Sequence, residues 1–209
     1  MLSRQELYSA LEQRHGKEIQ RKFAAASVVI CGLGGLGSNI ALSLARAGVG
    51  HIHLIDFDRV DISNLNRQQY FISQIGQYKT DALSETLKKI SVCTEITSQC
   101  VKLTEDNINI LAPYEIICEA FDKAEQKAML VNAVLENFPD KYLISGNGMA
   151  GLYSSNDITT RRLSDKFYIC GDGKSDISDG MGLVSARVAV CAAHQANMIL
   201  RIISGSFDA

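Results

Sequence analysis

From residue 27 the chain alternates short apolar runs with longer stretches in which apolar residues recur every three or four positions. The runs at 27–31 (SVVIC), 51–55 (HIHLI), 115–120 (EIICEA) and 141–145 (KYLIS) are rich in β-branched and aliphatic residues and predict strands, as does 95–101. Helical spacing covers 38–47, 79–92 and 124–138, the last stopping before Pro139, and 104–111 predicts a helix with Thr104 as its N-cap. Strands alternating with helices imply a mainly parallel, doubly wound sheet covered on both faces. After Gly146 the rhythm changes. Short runs around Leu152, at 158–162 and at 167–169 predict a small antiparallel extension, and an Ala- and Val-rich helix over 183–203 closes the chain. The charged, amphipathic segment 1–26 predicts an N-terminal helical arm, leaving 27–209 as one α/β domain with its core at 27–146 and an extension at 147–209.

Between the first predicted strand and helix, Gly32, Gly34 and Gly37 fit the pattern G-x-G-x-x-G, with Gly35 beside them. Glycines there permit a tight turn, close approach of backbone to phosphate and packing of helix on strand. The helix N-terminus adds unpaired N–H groups and the positive end of a dipole. The next apolar run ends in Asp56, about twenty residues on, where a dinucleotide-binding unit places a ribose-binding carboxylate. This strand–turn–helix context marks a Rossmann-like nucleotide site.

A nicotinamide dehydrogenase is the usual owner of such a turn. Here the acidic strand end runs on into Asp58, Asp61, Ser63, Asn64, Asn66, Arg67 and Gln68, then Lys79 after Gly76. Arg67 has the geometry to clamp phosphate oxygens in pairs, and Lys79 supplies a mobile point charge. Neutralising charge on a phosphoryl group in its transition state is the recurring demand of nucleotidyl transfer. Asp122 follows the predicted strand at 115–120 at the carboxyl edge, where ligands of open α/β sheets bind; a turn-forming Asp capping the helix from Ala124 is the competing role.

The segments GLGGLGSN (32–39), ARAGVG (45–50), LIDFD (54–58), SNLNRQ (63–68), GQYK (76–79) and EAFD (119–122) together resemble the adenylyltransferases that activate ubiquitin-like sulfur carriers, the ThiF and MoeB proteins, with ubiquitin-activating enzymes as relatives. NGMAG (147–151), FYICGDG (167–173) and AAHQAN (192–197) are similar to a short ThiF-type subgroup of thiamine biosynthesis. The resemblance implies attack of a carrier's C-terminal glycine carboxylate on the α-phosphate of ATP, giving an acyl-adenylate and pyrophosphate. It implies Gly34 and Gly35 in the phosphate turn, Asp56 on the ribose, Ser63, Asn64 and Gln68 in the nucleotide loop, Arg67 and Lys79 on the phosphates, and Asp122 with Mg²⁺. It further implies a Gly-Gly-terminated carrier bound by the extension, a homodimer, and a sulfurtransferase or cysteine desulfurase partner. Within the same resemblance, a molybdopterin-type carrier, a small-molecule or tRNA carboxylate, and a non-catalytic nucleotide-binding scaffold stay open.

Two departures and one candidate nucleophile qualify that picture. The six cysteines (31, 93, 100, 118, 170, 191) stand singly, without the paired CxxC of a structural zinc site, so no zinc is expected. Lys123 stands where many relatives of the family carry Asn. Cys31, Cys93, Cys100, Cys118 and Cys191 lie in or beside apolar segments and read as core hydrophobes. Cys170 precedes the polar, glycine-rich stretch 171–182, which reads as a mobile loop. An exposed thiol there, favoured as thiolate by Lys174, is a candidate link to an activated carrier. GDGKS within that stretch is not a P-loop, because Tyr168 occupies the required first glycine.

Composition narrows the alternatives. The 209 residues suffice for one domain, 46% hydrophobic content supports its core, and a net charge of −2 gives no basic footprint for nucleic acid. No apolar run reaches the ~18 residues that a membrane span requires. Unpaired cysteines and no secretory apolar segment lead to the expectation of a cytoplasmic enzyme.

Overall fold

The structure, a computed structural model, describes residues 2–209, apart from the side chain of Asp179. The N-terminal arm is two helices, α1 (Arg4–His15) and α2 (Lys17–Ala25), broken at Gly16, whose φ of +85° suits glycine. A capping box between Ser3 and Glu6 starts α1. The domain continues as β1 (Ser27–Cys31), α3 (Gly35–Ala47), β2 (His51–Asp56), α4 (Lys79–Ile90), β3 (Glu95–Cys100), β4 (Ile116–Glu119), α5 (Ala124–Asn137), β5 (Tyr142–Gly146), β6 (Thr159–Arg162), β7 (Phe167–Gly171) and α6 (Ser185–Ser204).

Seven strands form one sheet in the order β3-β2-β1-β4-β5-β7-β6. Every neighbouring pair is parallel except β6 with β7. The fold is therefore the expected Rossmann-like, doubly wound one, with the strand order reversing between β1 and β4. Alternation along β1 sorts the core. Val28 and Ile30 pack with residues of α3, α4 and α6 on one face, whereas Val29 and Cys31 pack with α5 and the segment before β4 on the other.

The small antiparallel extension is present as the pair β6–β7, and it is joined to the main sheet. Only Thr159–Arg162 runs antiparallel, while β7 joins β5 in parallel register, Ile144 opposite Tyr168, so the C-terminal strands widen the main sheet. Leu152 lies outside any strand. The 104–111 helix is instead the 3₁₀ segment Glu105–Leu111; Thr104 is its N-cap, and the Thr104 N–H donates to Asn107 Oδ1 at 2.8 Å.

Candidate functional site

The carboxyl ends of β1, β2 and β4 meet at the reversal point, and the glycine turn lies between them. The Gly32 N–H donates to Ile55 O on β2 at 2.8 Å, and its φ of +95° brings it against β4, where an added Cβ would lie 2.8 Å from Ala120 O. Gly37 packs so close that a Cβ would fall 1.8 Å from Gly32 O. Gly34, by contrast, has only Gln68 Nε2 within 4 Å of a built Cβ, at 3.8 Å, so its outer side is open. Gly34 is also the N-cap of α3 and provides no side-chain cap, leaving the first N–H groups of that helix available to an anion.

Asp56 is buried, and its carboxylate holds this turn: Oδ2 accepts the Leu33 N–H at 2.6 Å and Oδ1 accepts the Asp58 N–H at 2.8 Å. Tyr70 fastens the other side of Leu33, donating its hydroxyl to Leu33 O at 2.8 Å, and burial keeps its phenol protonated well beyond the usual range. The loop after β2 is stitched to α3 by Asn39, whose Nδ2 donates to Gly35 O and Arg67 O and whose Oδ1 accepts from Gln69. Ser38 Oγ accepts the Gln69 N–H. Asn39, Gln69 and Tyr70 escaped the sequence reading as site residues, although Asn39 ends the very motif that identifies the turn.

This stitching lays Arg67 over the helix N-terminus. A Cβ on Gly35 would sit 3.4 Å from Arg67 Cγ and 2.9 Å from Val188 Cγ1. Arg67 Nη1 donates to Ser63 O and Asn66 Oδ1, but its buried Nε has no partner, and neither has the buried Oε1 of Gln68 beside it. Buried polar atoms without partners are uncommon and call for an explanation. Here both flank the open side of the glycine turn, and an oxygen-rich, hydroxyl-bearing ligand such as ATP fits them.

Lys79 is not the mobile charge expected of it. Its side chain is buried, and Nζ lies 3.0 Å from Asp58 Oδ2. As the first residue of α4 it would be disfavoured by the helix dipole, so the pairing with Asp58 has a reason beyond proximity. Ser63 and Asn64 point elsewhere: Ser63 N–H and hydroxyl donate to Asp61 Oδ1, and Asn64 Oδ1 accepts the Asp61 N–H, closing their own turn. Ser63 reaches the site only through the carbonyl that receives Arg67.

Asp122 stands on the β4–α5 turn. It is exposed and does not cap α5, whose N-cap is Lys123. Its neighbour Phe121 reaches the glycine turn, with Cδ1 2.9 Å from a Cβ built on Gly32. Among the described residues no three His, Cys, Asp or Glu side chains are grouped to hold a metal. An exposed carboxylate one residue from Phe121 nevertheless fits Mg²⁺, which prefers one or two carboxylates, phosphate oxygens and water to an all-protein cage.

Cys170 requires a correction. It is fully buried at the end of β7, and burial raises its thiol to about 11, so it is neither exposed nor disposed to be a thiolate at neutral pH. β7 turns that side chain inward, where Thr160 Oγ1 meets it at 3.5 Å. Cys100, read as a core residue, is exposed instead; Cys31, Cys93, Cys118 and Cys191 are buried as expected. The 171–182 loop, read as mobile, is tied down: Asp172 forms a buried ion pair with Arg187 of α6, the Gly151 N–H donates to Gly182 O at 3.0 Å, and Asn66 Nδ2 donates to Leu183 O just beyond it. Burial works to raise the Asp172 carboxyl, but the N–H groups of Lys174 and Ser175, with Arg187, outweigh it and hold the group at about 2.

The chain is 32% identical over 205 residues to an adenylyltransferase and sulfurtransferase MOCS3 of Culex quinquefasciatus, covering 91% of this chain and 44% of that protein. It is 33% identical over 132 residues to a sulfur carrier protein adenylyltransferase of Thermus thermophilus, covering 62% and 44%. The chain thus spans under half the length of these relatives. Among solved structures it superposes on the tRNA N6-threonylcarbamoyladenosine dehydratase TcdA of E. coli in complex with ATP with a TM-score of 0.86 and 21% identity, covering 98% and 97% of the two chains. On E. coli MccB with ATP the TM-score is 0.69 at 22% identity, with 95% and 64% covered. The model of the ThiF family matches residues 8–208, and the chain belongs to that family.

Proposed function

We propose that this protein is a magnesium- and ATP-dependent adenylyltransferase that activates the C-terminal glycine carboxylate of a ubiquitin-like sulfur carrier, in thiamine thiazole formation. The carrying observation is the open glycine turn flanked by two buried, unpartnered polar atoms, Arg67 Nε and Gln68 Oε1. Family membership and the names of the relatives support the chemistry; the carrier and the pathway rest on the resemblance of the extension to the short thiamine subgroup.

A C-terminal carboxylate, with an ordinary pKa of about 3.3–3.7, is already ionised at neutral pH, so no general base is needed. The barrier is electrostatic, because an anion must approach a polyanion. One carboxylate oxygen bonds to the α-phosphorus while the bond to the pyrophosphate oxygen breaks, and the departing pair of electrons stays on pyrophosphate. Arg67 and the N-terminal amides of α3 bind and orient the phosphates, and Lys79, steadied by Asp58, adds a fixed positive charge. Asp122 would hold Mg²⁺, which supplies neutralisation of phosphate charge. In this reading the protein works in the cytoplasm as a homodimer, with a sulfurtransferase or cysteine desulfurase acting on the adenylated carrier.

ATP–pyrophosphate exchange, measured with magnesium and with or without a Gly-Gly-terminated carrier, tests the reading. Carrier-dependent exchange is the expected result. Exchange supported by a small carboxylate or a carboxylated tRNA instead would replace the carrier, and ATP binding without exchange under any of these conditions would leave a nucleotide-binding scaffold.

A further inference from the structure

Just before Asp122 the chain buries a second acid that the reaction does not use. Glu119, the last residue of β4, has no solvent exposure. Its Oε1 accepts the Phe121 N–H at 2.7 Å, and its Oε2 receives Lys127 Nζ from α5 and Ser145 Oγ from β5, each at 2.5 Å. Its carbonyl accepts from Gln195 Nε2 of α6 at 3.0 Å, while the next N–H, that of Ala120, donates to Cys31 O on β1 at 2.8 Å. Four other elements therefore converge on the two residues from which the Asp122 turn departs.

Stability is a poor reason for this arrangement. A buried ion pair recovers its desolvation cost only with good geometry, and an apolar replacement of similar volume is often neutral or better. What the carboxylate achieves here is geometric: it closes a turn over Phe121, and Phe121 and Ala120 are the residues that a side chain on Gly32 would strike.

We propose that Glu119, clamped by Lys127 and Ser145, is the positioning residue of the site, setting the β4–α5 turn so that Asp122 and the glycine turn address the same nucleotide–magnesium complex. This rests on the proposed role of Asp122 and goes beyond it, because Glu119 itself touches neither ligand. Lys127 then has to be a cation, and Ser145 a hydroxyl, for a reason that lies in the next turn of chain.

The test is ATP affinity measured by calorimetry with and without Mg²⁺, on the full chain, together with amide hydrogen exchange of residues 119–125 in the ligand-free protein. In the wild type, Mg²⁺ should tighten ATP binding, and Asp122→Asn should remove that gain. Glu119→Gln and Lys127→Met should lose about tenfold of the gain, the usual scale for a partner one shell from the metal. Their magnesium-free ATP affinity should stay within about twofold, exchange should rise across 119–125 alone, and Lys127→Arg should restore the wild-type values. Should the first two variants fail to fold, Ser145→Ala, which leaves the ion pair in place, should give the same pattern at about threefold.

Melting temperatures that fall while the magnesium gain and local exchange stay at wild-type values would reduce Glu119 to a structural support and overturn the proposal. A wild type with no magnesium gain would overturn it together with the role of Asp122. A wild type that shows the gain, loses it in Glu119→Gln, and yet never exchanges pyrophosphate would keep the positioning role and remove the adenylyltransferase reading.

Discussion

The two halves of the carboxyl edge use their charged groups in opposite ways. Around the glycine turn, Arg67 Nε and Gln68 Oε1 are buried without partners and Asp122 is exposed and caps nothing. Around the 147–184 segment, Asp172 is fully engaged, one oxygen taking two N–H groups and the other Arg187, while Arg187 Nη1 also reaches Tyr153 O and Ser154 O at 2.5 Å. Both regions are polar and glycine-rich, and composition does not distinguish them. The carboxylates do: Asp172 has both oxygens engaged and holds a loop, although Arg187 Nε, like Arg67 Nε, is buried without a partner, whereas Asp122 is left exposed beside the glycine turn. The loop so held leads into α6, whose Val188 lies against Gly35, so the second region supports the first.

The sharpest way to break the contrast is Arg187→Met. Removing one partner strands Asp172 as a buried charge, and such losses cost about 3–5 kcal/mol. Urea unfolding should show that loss, while ATP affinity of the folded fraction stays near wild type. A similar change in the other region should do the reverse. Arg67→Ala removes a group that acts on developing charge and should lower exchange by about 10²–10³-fold, or some 2.7–4 kcal/mol of barrier, with an unchanged unfolding midpoint. Asp122→Ala should behave like Arg67→Ala; normal turnover in a folded Asp122→Ala protein would remove the magnesium assignment. If Arg187→Met abolished exchange without destabilising the fold, the division into site and scaffold would be wrong.

The same division explains what the sequence made legible. The glycine turn and the acidic end of β2 were readable because short-range chemistry fixes them: a turn needing φ > 0, a helix N-terminus, a carboxylate at a strand end. The parallel core was readable from its buried runs. Asp172–Arg187 and Glu119–Lys127–Ser145 were not, since each pair or trio is assembled by tertiary packing of elements that a linear pattern treats as independent. Cys170 misled for a related reason. Its neighbours in sequence are polar and glycine-rich, but a strand end turns alternate side chains inward, and β7 pairing with β5 puts this one in the core. Lys79 was read as free because its partner Asp58 lies 21 residues earlier across a loop.

Acid should sharpen the comparison by acting on the scaffold. Asp172 is held at about 2, below the ordinary 3.8 of an aspartate, so its contribution is complete above about pH 5 and lost as the pH falls toward 2. Unfolding free energy measured from pH 5 to 2 should decline in the wild type with a component that Arg187→Met lacks, because that variant removes one of the interactions holding the carboxyl down. Equal slopes in the two proteins would show that Asp172 is not held by Arg187 in solution.

The smallest effect concerns Cys170, and it bears on which region takes part in transfer. With its thiol buried and raised to about 11, Cys170 should be almost wholly protonated and shielded at pH 8. Exposed Cys100 should therefore be the thiol that a bulky disulfide reagent modifies first in the folded protein, with Cys170 reacting only on the timescale of opening. Cys170→Ala should leave pyrophosphate exchange unchanged and cost about 1 kcal/mol of stability, the scale of a small loss of buried volume. Labelling of Cys170 as fast as Cys100 in the free protein would mean that β7 opens readily at its end. The second region would then supply a thiol to an adenylated carrier, and would be more than scaffolding for the first.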